Sequence, residues 1–353
     1  MKKMIKLNNR FWKNKKILVT GHTGFTGTWL VHILLLLGCK VYGVSLHKNF
    51  NTSIFKKSNA EIKESFFDVC DKKKINRLIK NLEPDIIFHL AAQSILKSGL
   101  DKSYETYKVN FIGTLNIFEA IKDLKKKTTL IVSTTDKVYF NIGKAKSFSE
   151  DDKLGASDPY SASKVAQDIL STSYFESKLK KKKNFGLGVL RAGNIIGGGD
   201  MNKFRLIPDL IKFYYKNEKL MVRDYNSIRP WQHVMQACYG YLLASEKIYK
   251  NQNLSGIYNI GPFGQKHKVL EILKSFFKFK SLKFIIPKKR GKAFKEIKEL
   301  YINSNKAKKK LGYKEIISFK DSLNLTFDWY DGYYKKKSIK YLIHKNIKKY
   351  FKF

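Results

Sequence analysis

Tyr160 and Lys164 stand four residues apart in the string Tyr160-Ser-Ala-Ser-Lys164. On a helix, residues at i and i+4 share one face. An ammonium beside a phenol favours the phenolate, against an ordinary phenol pKa of about 10. A phenolate can take the proton of a hydroxyl while hydride leaves the same carbon. Upstream, Thr134-Thr135-Asp136-Lys137 sets hydroxyl, carboxylate and amine side by side after an apolar run, a group able to serve more than one proton transfer. Each pattern also has an ordinary explanation. YxxxK recurs by chance in helices, and a Thr-Thr-Asp string can be a polar turn that caps one.

A third pattern is glycine-rich. Gly21-His-Thr23-Gly24-Phe25-Thr26-Gly27 follows an apolar run at 17–20 and opens a helical pattern. Glycine permits a tight turn and lets backbone N–H groups approach a pyrophosphate at a helix N-terminus, the arrangement used for dinucleotides. An acidic residue after the second strand would take the ribose hydroxyls of NAD. The residues there are Ser45-Leu46-His47-Lys48, with no carboxylate, and His47 and Lys48 suit a 2′-phosphate instead, so NAD and NADP both remain open. Asp68, after the third strand, is placed to meet an adenine amino group.

These residues need elements to carry them. Short β-branched runs at 17–20, 41–46, 66–69, 85–90, 129–133 and 186–191 alternate with helical patterns at 29–37, 73–82, 107–124 and 160–179. Such alternation predicts an α/β fold, a Rossmann-like doubly wound parallel sheet covered on both faces, with right-handed crossovers. The texture changes near residue 194. Residues 1–193 read as the dinucleotide-binding domain, with some later segments returning to it. Residues 194–353 read as a smaller α/β substrate-binding domain and basic tail, with strands expected at 257–260 and 284–286. The tail from Lys335 reads either as a docked helix or as a frayed end.

Composition sets the limits. The chain has 353 residues, 43% of them apolar, enough for a sizeable core. Lys and Arg number 70 against 29 Asp and Glu, a formal charge of +41. The lysines are spread through nearly every stretch, which argues for solvated faces and against a dedicated nucleic-acid surface. Cys39, Cys70 and Cys238 form no CxxC pair, and no cluster has metal-ligand spacing, so neither disulfide scaffold nor metal is expected. The start is basic without a continuous apolar core, and the greasiest stretch, 29–37, is far short of the roughly 20 residues that cross a bilayer. A cytoplasmic protein without membrane partners is expected.

Longer strings narrow the reading: Thr20 to Leu30, His89-Leu90-Ala91-Ala92-Gln93, Asn110-Phe-Ile-Gly-Thr114, Thr135 to Tyr139, and Asp158 to Lys164. Further on come Arg191-Ala-Gly-Asn194 to Asp200, Arg205-Leu206-Ile-Pro-Asp209 and Arg229-Pro-Trp231-Gln-His233-Val234. Together they resemble the extended short-chain dehydrogenase/reductase superfamily and its NAD-dependent epimerase/dehydratase family, more narrowly the CDP-glucose 4,6-dehydratases, from about Trp12 to Tyr330. Related dehydratases usually carry Glu where Lys137 stands. Lys97, Gly99, Leu100 and Met201 depart from the pattern near the expected pocket.

The resemblance implies NAD as cofactor, contacted by the glycine turn, Asp68, Val69, Leu90, Ala91, Ala92, Gln93, Asn110, Tyr160 and Lys164. It implies a nucleotide-sugar substrate, CDP-glucose, oxidised at C4, dehydrated across C5 and C6, and reduced at C6. Tyr160 would be the C4 base, Thr135 would orient the 4-hydroxyl, Asp136 would be the acid at C6, and Lys137 the C5 base. An amine of ordinary pKa near 10.4 must be neutral for that work, and Lys137 serves equally as a stabiliser of the developing enolate. Arg229, and next Arg205, suit the diphosphate, since guanidinium pairs with phosphate bidentately. Asn194, Leu206 and His233 complete the expected substrate set, although His233 beside Trp231 reads as a packed histidine more than a base. Pairing of the helices 107–124 and 160–179 between copies would give a homodimer or a higher homo-oligomer. The rivals are a nucleotide-sugar 4-epimerase, a 4,6-dehydratase acting on another nucleotide sugar, a non-catalytic nucleotide sensor, and a polyanion-binding protein.

Overall fold

The computed structural model describes all residues except 1–3, 47–52, 144–145, 265, 286–287 and 290–296. Seven strands form the central sheet: β1 (Lys16–Thr20), β2 (Lys40–Ser45), β3 (Lys63–Phe66), β4 (Ile86–His89), β5 (Thr128–Thr135), β6 (Phe185–Ala192) and β7 (Gly256–Ile260). Their spatial order is β7-β6-β5-β4-β1-β2-β3 and every pair is parallel. A parallel sheet must be buried on both faces. Accordingly Ile17, Leu18 and Val19, and Ile86, Ile87 and Phe88, are all fully buried. The strand order reverses between β1 and β4, and in open α/β sheets ligands bind beyond the carboxyl ends of the strands at that reversal.

The helices that matter here are α1 (Phe25–Leu36), α2 (Lys72–Leu82), α3 (Leu96–Asp101), α4 (Gly113–Ile121), α5 (Pro159–Tyr174), α6 (Leu206–Lys216), α7 (Val234–Lys250), α8 (Phe319–Tyr334) and α9 (Ile339–Tyr350). Local chemistry starts them. Asp158 accepts from the Ser161 N–H with Pro159 in the first turn of α5, and Asp71 does the same for Lys74 at α2.

Several boundaries differ from expectation for physical reasons. The third strand lies at Lys63–Phe66, not 66–69, because Asp68 Oδ1 accepts the Cys70 N–H and turns the chain. It is the sheet's edge, where Lys63 is tolerated at an exposed position. The helix expected over 107–124 is instead Ser103–Tyr107, a π-helical turn at Lys108–Ile112, and α4. The widened turn is accompanied by a bond from Thr114 Oγ1 to the Asn110 carbonyl, 2.8 Å. Phe284 and Ile285 form no strand, and Ile286 lies outside the described residues.

After residue 194 the chain returns to the sheet. α7 lies against β5 and β6, and β7 pairs with β6. The remainder builds a layer over the strand ends: α6, the pair Ile228–Arg229 with His267–Lys268, and the helix Val269–Phe279. The loop 197–200 is clamped from two sides. Trp29 Nε1 donates to the Gly198 carbonyl, and Tyr330 OH donates to the Asp200 carbonyl. A Cβ at Gly198 would lie 2.0 Å from Trp329 Cγ, so only glycine fits against α8 there.

The tail is docked. α9 packs on α1 and α8, and Phe351–Lys352 pairs in parallel with Ile5–Lys6. His32 of α1 anchors it, with Nδ1 3.1 Å from His344 Nε2 and Nε2 2.8 Å from Ser58 Oγ. Among the described residues no helix is long and apolar enough to cross a membrane.

Burial pulls His32, His89 and His233 down to about 3, with His32 also opposed by His344 and Lys340, and His89 by Lys164. The folded chain therefore keeps them neutral while the unfolded chain binds protons near pH 6.5. Stability is predicted to be lost as pH falls from about 6.5 towards 3, read as a falling urea midpoint. His32→Gln should make that slope shallower. A midpoint that rises on acidification would refute the assignment.

Candidate active site

Over the carboxyl ends of β1, β4, β5 and β6 lies a cleft of about 1090 Å³. Single small-molecule sites run about 300–1,000 Å³, so this cleft stands at the large end of that range. Its floor begins at the glycine turn. Gly21 has φ +75°, and a Cβ there would meet Ala91 N at 2.8 Å. A Cβ at Gly27 would lie 2.2 Å from the Gly21 carbonyl oxygen. The turn is thus closed to side chains and pressed onto the residues after β4. Gly24 caps α1 without a side-chain hydrogen bond, so the first-turn N–H groups are left to an anion. Ser45, at the end of β2, braces the turn through Thr23 Oγ1, 2.8 Å. His47 and Lys48, offered to a 2′-phosphate, lie outside the described residues.

Of the residues expected against a dinucleotide, all line the cleft except Gln93 and Asn110. Those two hold the loop beneath it. Asn110 Oδ1 accepts from Gln93 N at 2.9 Å, Asn110 Nδ2 donates to the Gln93 carbonyl at 3.0 Å, and the Gln93 side chain bonds Ile95 and Thr106.

The proton-transfer group comes together on one wall. Thr135, Asp136, Lys137, Tyr160 and Lys164 all line the cleft, the first three from the end of β5 and the others from the start of α5. Thr135 Oγ1 donates to Asp136 Oδ1 at 3.0 Å. Lys137 Nζ lies between Asp136 Oδ1, 3.2 Å, and Asn194 Oδ1, 3.0 Å. Asp136 is buried, and its Oδ2 has no partner among the described residues. A buried carboxylate oxygen without a protein partner is costly unless a ligand meets it.

The Lys164 ammonium is directed to acceptors other than the Tyr160 phenol. Its Nζ donates to the Ser133 carbonyl, 3.0 Å, and to Gln167 Oε1, 2.8 Å. Burial pushes the Tyr160 phenol up to about 12, opposed by the Thr135 hydroxyl and the Arg205 charge, while burial pulls the Lys164 ammonium down to about 7. Arg229 reaches the cleft wall, but its guanidinium donates to the carbonyls of Ile228, Ile297 and Lys298. Arg205, with 31% of its side chain exposed and held by Asp200 at 3.0 Å, is the more accessible cation. Leu206 also lines the cleft. His233 does not: it is fully buried, and its Nδ1 caps α7 by accepting from Met235 N.

Other functional contacts escaped the sequence reading. Gly99, where the family pattern differs, lets α3 seat on the tyrosine, since a Cβ there would be 2.9 Å from Tyr160 Cβ. One turn past Lys164, Asp168 takes both arms of Arg191 from β6, at 2.9 and 2.8 Å, with each side chain 1% exposed. Its signal was only the spacing Lys164 to Asp168 on one helical face. Among the described residues no group of three or more His, Cys, Asp or Glu could hold a metal ion.

The GDP-mannose 4,6 dehydratase family matches residues 18–326. The CDP-glucose 4,6-dehydratase of Salmonella typhimurium is 33% identical over 274 residues, 76% of this chain and 76% of that protein. Two solved structures share the fold. The UDP-glucose 4-epimerase of Thermus thermophilus, a complex with NAD, has a TM-score of 0.77 at 22% identity over 90% of this chain and 99% of that one. The dTDP-glucose 4,6-dehydratase of Bacillus anthracis, also with NAD, has a TM-score of 0.75 at 22% identity over 92% and 98%.

Asp168→Asn leaves the buried Arg191 charge uncompensated, and it is expected to cost about 3–5 kcal/mol in denaturant unfolding. A loss below about 1 kcal/mol would mean that the pair does not anchor α5.

Proposed function

The chain belongs to the GDP-mannose 4,6 dehydratase family of nucleotide-sugar enzymes, and from that premise we propose that it removes water from a nucleotide-diphosphate hexose, CDP-glucose, to give the 4-keto-6-deoxy sugar. The observation that carries this reading is the meeting of Thr135, Asp136, Lys137 and Tyr160 on one wall of a cleft. A 4-epimerase needs the tyrosine but has no use for an acid and an amine placed for elimination. The relation to the Salmonella typhimurium enzyme supports the cytidine substrate.

We propose NAD as the resident cofactor. The closed glycine turn with its free helix-end N–H groups suits a pyrophosphate, and the two NAD-bound structural neighbours support the choice. Gly21, Gly24 and Gly27 would hold the pyrophosphate, Asp68 the adenine, and Tyr160 and Lys164 the nicotinamide half. Reversible hydride acceptance is the chemistry it supplies when bound.

The chain's own residues move the protons. Tyr160 takes the proton of the sugar 4-hydroxyl, and Thr135 orients that oxygen. With its phenol near 12 in the open cleft, Tyr160 is protonated at neutral pH, so cationic charge from Lys164 and Arg205 must be brought to bear as the cleft fills. The 4-ketone then makes C5–H acidic. Lys137 and Asp136 lie 3.2 Å apart and share one proton: with it on the carboxyl, the neutral Lys137 amine takes the C5 proton and Asp136 protonates the departing 6-hydroxyl, so the elements of water leave, and the Lys137 ammonium returns its proton to C5 when C6 is reduced. Arg205 takes the diphosphate. The faces carrying Tyr104 and Ile169, 75% and 52% exposed, would pair two copies of the chain.

Incubation with CDP-glucose and NAD should yield a product with the alkali-induced absorbance of a 4-keto sugar. A CDP-hexose epimerised at C4 and still bearing its 6-hydroxyl would instead establish the epimerase reading. Tyr160→Phe should lower turnover by about 10²-fold or more. Lys137→Met should leave C4 oxidation detectable as a transient nicotinamide absorbance while stopping water loss. Elimination at the normal rate in that variant would remove Lys137 from the base role.

A further inference from the structure

Between the glycine turn and Lys164 the buried polar groups form one continuous chain. Lys164 Nζ donates to Gln167 Oε1 at 2.8 Å, and Gln167 Nε2 donates to Thr114 Oγ1 at 2.7 Å. The Thr114 hydroxyl proton goes to the Asn110 carbonyl, 2.8 Å. The 3.0 Å contact between Thr114 Oγ1 and His89 Nε2 must therefore be an N–H of the histidine donating. That assigns the tautomer and makes His89 Nδ1 the acceptor of the Thr20 hydroxyl, 2.8 Å. Thr20 Oγ1 in turn accepts the N–H of Ala91, the residue onto which Gly21 closes. Thr20, His89, Thr114 and Gln167 are all 1% exposed or less, so water does not compete for these bonds.

We propose that Gln167 is a positioning residue for Lys164, holding its ammonium in place and tying it through Thr114 and His89 to the turn that receives the cofactor. This rests on the reading of Lys164 as part of the NAD site. Among the described residues Gln167 is the one side chain that accepts from Lys164. An amide oxygen suits the task, because it solvates the ammonium without neutralising it, and the amide N–H fixes which way the oxygen faces. The burial that pulls Lys164 down to about 7 makes that solvation matter near neutral pH. The other charged or titratable groups on the elements packed about it are Tyr160 and Asp168 on its own helix, Arg191 of β6 paired with Asp168, neutral His89 from β4, and Asp136 after β5.

The test uses the full chain with Gln167→Glu, Gln167→Leu and Thr114→Val. Two quantities are read against pH: NAD affinity by calorimetry, and the rate of reductive methylation of Lys164 by peptide mass spectrometry. A carboxylate at 167 should move the alkaline loss of NAD affinity and the onset of methylation to higher pH by about one unit. Leucine should move both to lower pH by a similar amount, and Thr114→Val should follow leucine less far, which covers the case in which the leucine variant fails to fold. A role confined to packing cannot produce shifts of opposite sign. Folded variants that bind NAD yet shift neither quantity, or shift both the same way, overturn the proposal and leave the cofactor reading standing. Opposed methylation shifts in a protein that binds no NAD at any pH sustain the hold of Gln167 on Lys164 and overturn the cofactor reading.

Discussion

The seating of α5 on the ends of β5 and β6 is the constraint from which the site follows. This helix carries both Tyr160 and Lys164, while Thr135, Asp136 and Lys137 stand at the end of a strand. Their mutual geometry exists only while helix and strand keep their distance. Three buried ties hold it: the bidentate Asp168–Arg191 pair, the bond from Lys164 to the Ser133 carbonyl, and the bond from Asn110 to Ser163 Oγ. Each joins a different neighbour to α5, so the helix is located in direction as well as in depth. A charged tie in a dry setting is costly to break on one side, which favours a single arrangement.

The second half of the chain serves the same wall from above. Asp200 steadies Arg205, and the loop bearing Asp200 is itself clamped by Trp29 from α1 and by Trp329 and Tyr330 from α8. The substrate side is therefore fastened to the helix that begins at the glycine turn. The tail adds a further layer through the His32–His344 contact on that same helix. Cofactor side and substrate side share one core, in which α1, α7, α8 and α9 meet.

Charge works on two scales. The chain's +41 is spread over its surface and favours any anionic ligand without selecting one. Selection falls to a few placed groups. Arg205 remains accessible, Arg229 lines the cleft while donating to backbone carbonyls, and Asp136 Oδ2 has no partner among the described residues. Burial, more than any neighbouring charge, sets the proton affinities of Tyr160 and Lys164, in opposite directions.

Local signals were enough for the parallel sheet, the glycine turn and the proton-transfer residues of the cleft wall. Spacing reports what shares a turn or a face, and GxxGxxG, Thr135–Lys137 and Tyr160–Lys164 are all such short-range patterns. What spacing cannot report is which distant group takes a side chain's hydrogen bond. Arg229 lines the cleft, but its guanidinium also meets the carbonyls of Ile228, Ile297 and Lys298, which its local string does not show. His233, read as a packed histidine, is buried, but its capping of α7 was not legible. Asn110 and Gln93 turned inward to brace a loop, and Gln167 acquired a role from Thr114 and His89, which lie far from it in the chain. The residue types that chemistry requires are inscribed along the backbone, but their partners are chosen only when burial removes water as the competing donor and acceptor, and that selection belongs to the tertiary structure.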